Sequence, residues 1–408
     1  MPDTDEIQSL LADALERLDG FVALHSLERL SGGASQATYR LRVAMVDGER
    51  SLALRRSVGP AGERDFGGPG LAVEARLMGL ARRAGVPGPE VHMALRPEDG
   101  LGEGFVMEWV EGESIGSRIN RSDELASARA GLAGECGRAL ARIHAIDLDS
   151  TGLNDALHEV DPAEEVRQTW ERYKGFHSPQ PMIDFTARWL LDHLPPEGEP
   201  ALVHGDFRNG NLLVVPTGMA AVLDWEIAHI GDPMRDLGWL CTASWRFGHP
   251  EKPVGGFGSY EDLFAGYEAE SGRAVDPAHV RFWEVFGSFW WSVGCLGMAD
   301  QYRSGPDRSV ERAAIGRRSS ECQVDCVNLV IPGPAAGVVR AGGDDGLDLP
   351  RVDELLESVS GYLRSEVVPA MDGRTGFLAR VAANSLDIVG REMEYGAEAR
   401  RLEVERLR

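Results

Sequence analysis

The spacing of apolar residues predicts a β-rich beginning of the chain and a mainly helical remainder. In residues 5–20 the apolar side chains recur every three or four positions, which predicts an amphipathic helix. Apolar runs at residues 21–30, 37–45 and 51–56 predict three strands, and the segment VDGER between the last two is typical of a hairpin turn. The segment AVEARLMGLARRAG predicts a helix that ends at Gly85, because glycine readily adopts the positive φ found just beyond helix C-termini.

Later segments alternate between strand and helix patterns. The run GFVMEWV predicts a strand, and residues 123–190 and 236–330 predict helices, with short strands and tight loops over residues 201–224. Residues 332–350 are rich in Gly, Pro and Asp, which is typical of a linker, and residues 351–408 predict further helices. The pattern therefore predicts an α+β, two-lobed fold with a C-terminal helical appendage.

The same pattern divides the chain into four parts. A β-rich N-terminal lobe is predicted at residues 1–110 and a helical lobe at residues 111–331. The linker at residues 332–350 separates them from a helical domain at residues 351–408. A length of 408 residues is compatible with two or three domains.

Composition and charge disfavour several classes of protein. The formal net charge of −23 disfavours nucleic acid and anionic membranes as partners, because both attract basic surfaces. No basic segment followed by an apolar one opens the chain, and no run of about 18 uncharged apolar residues occurs, so neither a signal peptide nor a membrane span is predicted. The five scattered cysteines are typical of reduced thiols, and Cys322 and Cys326 lack two further metal ligands at a suitable spacing. A cytoplasmic protein is therefore expected.

The strongest candidate for chemistry is the segment LVHGDFRNGNLLVVPTGMAAVLDW, residues 202–225. Asn211 follows Asp206 by five positions, and Asp224 follows Asn211 by thirteen. Phosphoryl transfer requires a metal ion that neutralises phosphate charge and a carboxylate that orients the attacking hydroxyl and accepts its proton. Asp206 lies on a predicted loop, where its carboxylate could take the second role.

The spacing also predicts a metal site. LLVV and AAVL are two short apolar runs joined by PTGM, and they predict a β-hairpin. If Val215 lies opposite Ala220, then Asn211 lies opposite Asp224, and directly opposed Cβ atoms are roughly 4.5–5.5 Å apart. One oxygen from each side chain could then bind the same Mg²⁺, which takes its other ligands from phosphates and water. The alternative is that these residues only form turns, where Asp and Asn are common.

These motifs carry a resemblance to a known family. The segment from His204 to Asn211 has the form H-x-D-x-x-x-x-N of the protein-kinase catalytic loop, with Gly205 in place of the usual arginine. Together with LDW and IGDPMRDLGW, it resembles the aminoglycoside phosphotransferase and choline kinase-like family over about residues 20–330. LDWEIAHIGDP is especially similar to bacterial phosphotransferases and kinase-like domains associated with acyl-CoA dehydrogenases. The resemblance implies a protein-kinase-like fold, ATP and Mg²⁺ as cofactors, and a small-molecule hydroxyl as acceptor.

The resemblance also implies residues that contact the phosphates. Gly32, Gly33 and Ser35 of SGGASQATYRL correspond to the family's nucleotide-covering loop, although an ordinary hairpin turn would have similar glycines. Arg55 in LALR stands where kinases carry a lysine that binds phosphates, and Glu74 on the next helix matches its acidic partner. Arginine can bind phosphate through two nitrogens but is no isostere of lysine. Arg56, the next residue on the strand, is expected to point to the opposite face.

The segment FVMEWVEGES resembles the hinge between kinase lobes. Adenine is then expected to bond to backbone groups near Glu108 and Val110, with Met107 beside the adenine pocket. A core strand without a ligand is the alternative.

Other polar and aromatic residues near the motifs are expected to support the site. His204 is expected to hold its loop by hydrogen bonds, and Asp232 and Asp236 to cap the helix that begins near Leu237 or to anchor the loop backbone. Aromatic residues in the helical lobe either form core or line an apolar or cation–π pocket: Trp239, Trp245, Trp283, Phe286, Phe289, Trp290 and Trp291.

The sequence as a whole predicts a phosphotransferase that acts on a hydroxyl of a small molecule. The acceptor is left open among aminoglycosides, choline-like amines, sugars and small hydroxyacyl compounds. A nucleotide-binding pseudokinase that regulates a partner is the alternative from another class. The tail at residues 351–408 is similar to a helical domain of unknown function found beside such kinases and predicts docking to a protein partner or a homo-oligomer.

Overall fold

The computed structural model describes residues 4–30, 36–57, 68–196, 198–305, 308–331, 333 and 352–406. The predicted linker at 332–350 therefore lies outside the described residues, except for Gly333. The chain forms two compact units. The first comprises Met1–Thr169 with Asp184–Phe289, and the second comprises Trp170–Ile183 with Trp290–Arg408. The division of the chain into the four predicted parts stays a prediction.

The first unit begins with an antiparallel five-stranded sheet in the order β1-β2-β3-β5-β4. Its elements are α1 (Thr4–Leu15), β1 (Phe21–Arg29), β2 (Gln36–Met45), β3 (Gly48–Ser57), α2 (Leu71–Arg83), β4 (Val91–Ala94) and β5 (Gly104–Glu108). The predicted hairpin turn between β2 and β3 is a two-residue turn at Val46–Asp47. Helix α2 ends as predicted, with Gly85 at φ 85°.

The alternation of side chains along β3 determines what each face of the sheet contacts. Leu52 and Leu54 pack in a buried cluster with residues of α1, whereas Ala53 belongs to the cluster that contains α2. Successive residues of a strand point to opposite faces, so Arg55 follows Ala53 toward α2. Arg56 follows Leu54 and donates from Nε to the carbonyl of Leu101 at 2.8 Å. The predicted division of the two arginines between the faces is confirmed.

The rest of the first unit is mainly helical. Its elements are α3 (Gly116–Arg121), α4 (Ala126–His144), α5 (Pro162–Lys174), α6 (Pro181–Asp192), β6 (Ala201–Val203), β7 (Leu212–Val215), β8 (Gly218–Val222), β9 (His229–Gly231), α7 (Met234–Cys241), α8 (Tyr260–Ser271) and α9 (Pro277–Ser304), of which α5, α6 and α9 continue into the second unit. Helices α4 and α8 approach closely at Gly137, where an added Cβ would lie 2.2 Å from the carbonyl oxygen of Leu263.

The β7–β8 hairpin corrects the predicted register. Val215 pairs with Gly218 rather than with Ala220, and the turn contains only Pro216 and Thr217. A register shift between Leu213 and Val214 then places Leu212 opposite Val222. Gly218 permits the tight turn, because it has a φ of 133° that other residues rarely adopt. Asn211 is therefore opposite Leu223, whose amide donates to the Asn211 carbonyl at 2.8 Å, and not opposite Asp224.

The second unit is helical. Beyond the ends of α5, α6 and α9 it contains α10 (Val310–Arg317), α11 (Ser319–Val330), α12 (Val352–Tyr362), a π-helical turn (Leu363–Val367), α13 (Val368–Ala370) and α14 (Gly373–Arg406). All five cysteines of the chain are buried thiols outside any disulfide, as the composition predicted. Among the described residues, no helix combines the length and the apolarity needed to cross a membrane.

Candidate active site

Three side-chain donors hold the carboxylate of Asp206, two from the loop between β6 and β7 and one from α7. Trp239 Nε1 and Arg208 Nε donate to Oδ1 at 2.8 and 2.9 Å, and Asn211 Nδ2 donates to Oδ2 at 2.6 Å. Asn211 Nδ2 also lies 2.9 Å from the Asp206 carbonyl oxygen, which ties the loop to its own end. The Asp206 side chain keeps 15% of its surface exposed. It is therefore fixed in orientation and still accessible to a small molecule.

The buried carboxylate of Asp236, on α7, fixes the backbone of this loop. Asp236 accepts hydrogen bonds from the amides of His204 and Gly205, both at 2.8 Å, and lies 3.1 Å from His144 Nε2. Burial alone would raise the pKa of Asp236, but the hydrogen bond and charge of His144, together with His204, lower it to about 2. Of the two predicted roles for Asp236, the structure shows the anchoring of the loop backbone.

His204 and Gly205 have structural reasons for their places in the motif. The buried ring of His204 accepts from the Asp206 amide at Nδ1 (3.2 Å) and contacts the Leu223 carbonyl through Nε2 (3.2 Å). Burial lowers the pKa of His204, which favours the neutral ring. Gly205 has a φ of 84°, and a Cβ there would lie 2.6 Å from the carbonyl oxygen of Ile227. The loop cannot hold a larger residue in this position without moving.

Arg55 and Glu74 meet as the resemblance implied, together with Asp224. Arg55 Nε lies 3.1 Å from Glu74 Oε1, and its Nη2 lies 2.5 Å from Asp224 Oδ1 and 3.8 Å from Glu226 Oε2. Its Nε also donates to Gln36 Oε1 at 2.5 Å. Burial by itself would lower the pKa of Arg55, but the three carboxylates together raise it.

The charges around Arg55 do not balance. One guanidinium faces the carboxylates of Glu74, Asp224 and Glu226. Burial, together with the negative charges of Asp224 and Glu226, raises the pKa of the Glu74 carboxyl to about 8 against the opposing effect of Arg55. Asp224 also has a φ of 66°, a left-handed conformation that non-glycine residues rarely adopt. An excess of negative charge and a strained acidic residue occur together here.

This donor set fits a hard cation. Asp224 offers carboxylate oxygens, and Asn211, whose Nδ2 is engaged by Asp206, offers its Oδ1. Mg²⁺ prefers such oxygen ligands and usually binds one or two carboxylates, with phosphates and water completing its shell. Within the part of the chain that the structure describes, no three His, Cys, Asp or Glu residues converge on one metal position. A site built from Asn211 and Asp224 would thus depend on ligands from a phosphate group.

Of the other residues predicted to contact the nucleotide, the structure describes only those at the hinge. Gly32, Gly33 and Ser35 lie outside the described residues. The amide of Glu108 donates to the Glu90 carbonyl at 2.8 Å, so this amide is already engaged. The backbone of Val110 forms no hydrogen bond with another described residue. The backbone of Val110 is therefore the part of the predicted hinge that could still bond to adenine.

Sequence reasoning missed several residues that complete the site. Arg208 and Trp239 hold Asp206, His144 holds Asp236, and Gln36 contacts Arg55. Arg208 could have been found, because it stands two positions after Asp206 on the same loop. The others are 33 to 92 residues away from their partners, or 19 in the case of Gln36, and no spacing rule connects them.

The aromatic residues of the helical lobe are mostly core. Trp239, Trp245 and Trp283 each expose at most 4% of their surface. Two of them nevertheless contact the loop that carries Asp206. Trp239 donates to Asp206, and the ring of Trp245 lies 4.3 Å from the guanidinium carbon of Arg208. The burial of these three side chains favours the core alternative, and the cation over Trp245 is one of the protein's own side chains. A pocket lined by the cluster stays a prediction.

Comparisons with known proteins show what this chain is similar to. The phosphotransferase enzyme family matches residues 26–273, and a domain of unknown function (DUF6285) matches residues 369–408. Acyl-CoA dehydrogenase family member 10 of Mus musculus is 32% identical over 261 residues, which make up 60% of this chain and 23% of that protein. The chain thus spans about a quarter of the length of this curated relative.

Solved structures show the same fold. A putative aminoglycoside phosphotransferase from Ralstonia eutropha is similar with a TM-score of 0.63 and 23% identity, over 79% of this chain and 97% of that one. A thermostable mutant of an aminoglycoside phosphotransferase, solved with AMP-PNP and hygromycin B, has a TM-score of 0.52 and 16% identity, over 80% and 98% of the two chains. The resemblance and the α+β, kinase-like fold are confirmed, and the chain belongs to the phosphotransferase enzyme family.

Proposed function

We propose that this chain uses ATP and Mg²⁺ to transfer a phosphoryl group to a hydroxyl of a small molecule. The observation that supports this most is the continuity between two clusters. Asp206 bonds to Asn211, Asn211 pairs with Leu223, and the next residue, Asp224, contacts Arg55. A candidate base and a candidate phosphate-binding arginine are thereby linked through a few residues.

Each side chain takes a defined part in this proposal. Asp206 orients the acceptor hydroxyl and accepts its proton as the oxygen–phosphorus bond forms. Arg55 binds phosphate oxygens, since none of the described residues accepts a hydrogen bond from its Nη1, and Glu74 holds it in place. Asn211 and Asp224 would hold Mg²⁺, which when bound neutralises phosphate charge. The solved relative in complex with AMP-PNP and hygromycin B motivates both ATP and a hydroxyl-bearing acceptor.

The experiment that tests the function is a screen of acceptors with Mg-ATP. Aminoglycosides, amino alcohols, sugars and hydroxy acids are incubated with the purified chain, and products are identified by a mass gain of one phosphate. The proposal expects at least one acceptor class to gain phosphate while ADP forms in equal amount. If the chain binds ATP but phosphorylates nothing, the regulatory pseudokinase becomes the better explanation.

Arg55 is expected to be sensitive to substitution. Arg55→Ala should weaken ATP binding or slow transfer by roughly tenfold to a hundredfold per lost contact, because charge-assisted hydrogen bonds contribute about 1.5–3 kcal/mol each. Arg55→Lys should recover only part, since an ammonium offers a single point charge and not a planar fork. ATP affinity by calorimetry and single-turnover rates provide the measurement.

Two other arginines of β3 serve as controls for Arg55. Arg50 is exposed and pairs only with nearby Asp47 among the described residues. Arg50→Ala should leave ATP affinity unchanged. Arg56→Ala should lower stability through loss of the Leu101 contact but leave ATP affinity intact. If Arg55→Ala leaves ATP affinity unchanged while Arg56→Ala weakens it, the phosphate-binding face has been assigned to the wrong side of β3.

The C-terminal helices are proposed to bind a second copy of the chain. On α12 the side chains of Val352, Leu355, Val359 and Tyr362 recur at helical spacing and are each at least half exposed. The double variant Leu355→Lys with Val359→Lys should reduce the mass measured by light scattering and leave ATP affinity unchanged. Glu357→Lys, an exposed neighbour with the same total change in charge, is the control. An unchanged mass in the double variant would contradict this role.

A further inference from the structure

Arg208 covers the candidate base from one side. Its Nε donates to Asp206 Oδ1 at 2.9 Å, and its Nη1 donates to the Asn209 carbonyl at 2.8 Å. The guanidinium carbon lies 4.3 Å from the centroid of the Trp245 ring. The side chain exposes 24% of its surface. Two of its three nitrogens are engaged in this way, and no described residue accepts a hydrogen bond from Nη2.

The surroundings of Arg208 are rigid. Asn209 is fully buried and donates from Nδ2 to the carbonyls of Gly255 (2.7 Å) and Trp245 (3.4 Å), which fixes the loop that carries Trp245. Trp245 packs edge-on against Trp239, with ring centroids 5.0 Å apart, and Trp239 itself bonds to Asp206. Arg208 is therefore held between a carboxylate and an aromatic face by groups that are themselves fixed. A solvated surface arginine would show no such set of contacts.

This arrangement works against a cationic acceptor. An ammonium group close to Asp206 would be attracted by the carboxylate or by an aromatic face. At this point of the site, Arg208 already engages both the Asp206 carboxylate and the Trp245 ring. A second cation there would meet a like charge, which disfavours binding. An anion would instead find the unengaged Nη2.

We propose that Arg208 selects the class of acceptor, which is a small hydroxyl compound carrying a negative charge, such as a carboxylate, a few bonds from its hydroxyl. The anion pairs with Nη2 of Arg208 while the hydroxyl meets Asp206. Arg208 thus discriminates both by attraction of anions and by repulsion of cations. This inference rests on the proposed function, because it takes Asp206 to be the base.

The test compares three acceptors of the same chain length: an ω-hydroxycarboxylate, a diol and an ω-amino alcohol. Their affinities are measured by calorimetry on the full chain loaded with Mg-ADP, so the readout does not require transfer. The hydroxycarboxylate should bind roughly tenfold to a hundredfold more tightly than the diol, with the amino alcohol weakest. Arg208→Gln should abolish the difference between the carboxylate and the diol, and Arg167→Gln, an exposed arginine of α5, should not.

Transfer rates to the same three compounds then distinguish the selection of acceptors by Arg208 from the proposed phosphotransferase function. Phosphorylation with the order hydroxycarboxylate, diol, amino alcohol supports the selection by Arg208. Equal binding of all three compounds, or tighter binding of the amino alcohol, overturns it whether or not transfer occurs. An equal loss of rate for all acceptors in Arg208→Gln also overturns it, since Arg208 would then act on the phosphoryl group. Selective binding without any transfer would refute the proposed function alone.

Discussion

Replacing Asp206 by asparagine is expected to slow phosphoryl transfer by about 10²–10⁴-fold, the usual effect of removing a positioned general base. Asparagine keeps the shape and can still accept from Trp239 or Arg208, so the loop should stay in place. ATP affinity should remain within a few-fold of the parent, because Asp206 makes none of the contacts of Arg55. The measurements are the single-turnover rate with an identified acceptor and the ATP affinity by calorimetry.

The control for Asp206 is a carboxylate removed from the site. Asp192→Asn, at the exposed end of α6, carries the same change in charge and should leave the rate unchanged. A rate for Asp206→Asn within a few-fold of the parent would show that Asp206 is not the base. A large loss of ATP affinity would instead indicate that Asp206 contributes to the nucleotide site.

The sequence predicted the parts of this site that depend on spacing along one segment. Asp206 and Asn211 are five residues apart on one loop, and the structure joins them by a hydrogen bond. Arg55 and Glu74 were assigned from a strand followed by a helix, and the alternation of faces along β3 brings them together. In both cases a short-range regularity of the backbone determines the contact.

The register of the β7–β8 hairpin could not be predicted from the apolar pattern. A four-residue connection was assumed, but Gly218 allows a two-residue turn, and a register shift between Leu213 and Val214 offsets the pairing again. The shorter turn moves the pairing by two residues, and the register shift moves it back by one. Both changes are decided by local backbone energies that the apolar pattern does not carry. Asn211 and Asp224 consequently lie one residue out of direct opposition.

The contacts that hold the loop could not be predicted for another reason. Trp239 reaches Asp206 across 33 residues, and His144 reaches Asp236 across 92. These contacts depend on how α4 and α7 pack in the first unit. The sequence identified Asp236 as a cap or an anchor but could not choose between the two, because the choice requires the position of the loop backbone.

Asp236→Asn is expected to give the largest loss of stability. A buried carboxylate that accepts from two amides and contacts His144 is part of a charged network, and breaking such a network typically costs about 3–5 kcal/mol. Asparagine would also turn an N–H group toward an amide that needs an acceptor. The free energy of unfolding, measured by urea titration with tryptophan fluorescence at pH 7, should fall by this amount.

The pH dependence identifies the charge as the cause of that loss. The folded pKa of Asp236 is lowered to about 2, below the value of about 3.9 for an unfolded chain, so its charge stabilises the folded state above pH 4. This contribution, about 2.6 kcal/mol for a shift of such size, disappears as the pH falls from about 4 toward 2. The difference in unfolding free energy between the parent and Asp236→Asn should therefore be smaller at pH 3 than at pH 7. The exposed variant Asp192→Asn should show no such change. If the difference for Asp236→Asn is independent of pH, then packing, and not the carboxylate charge, holds the β6–β7 loop.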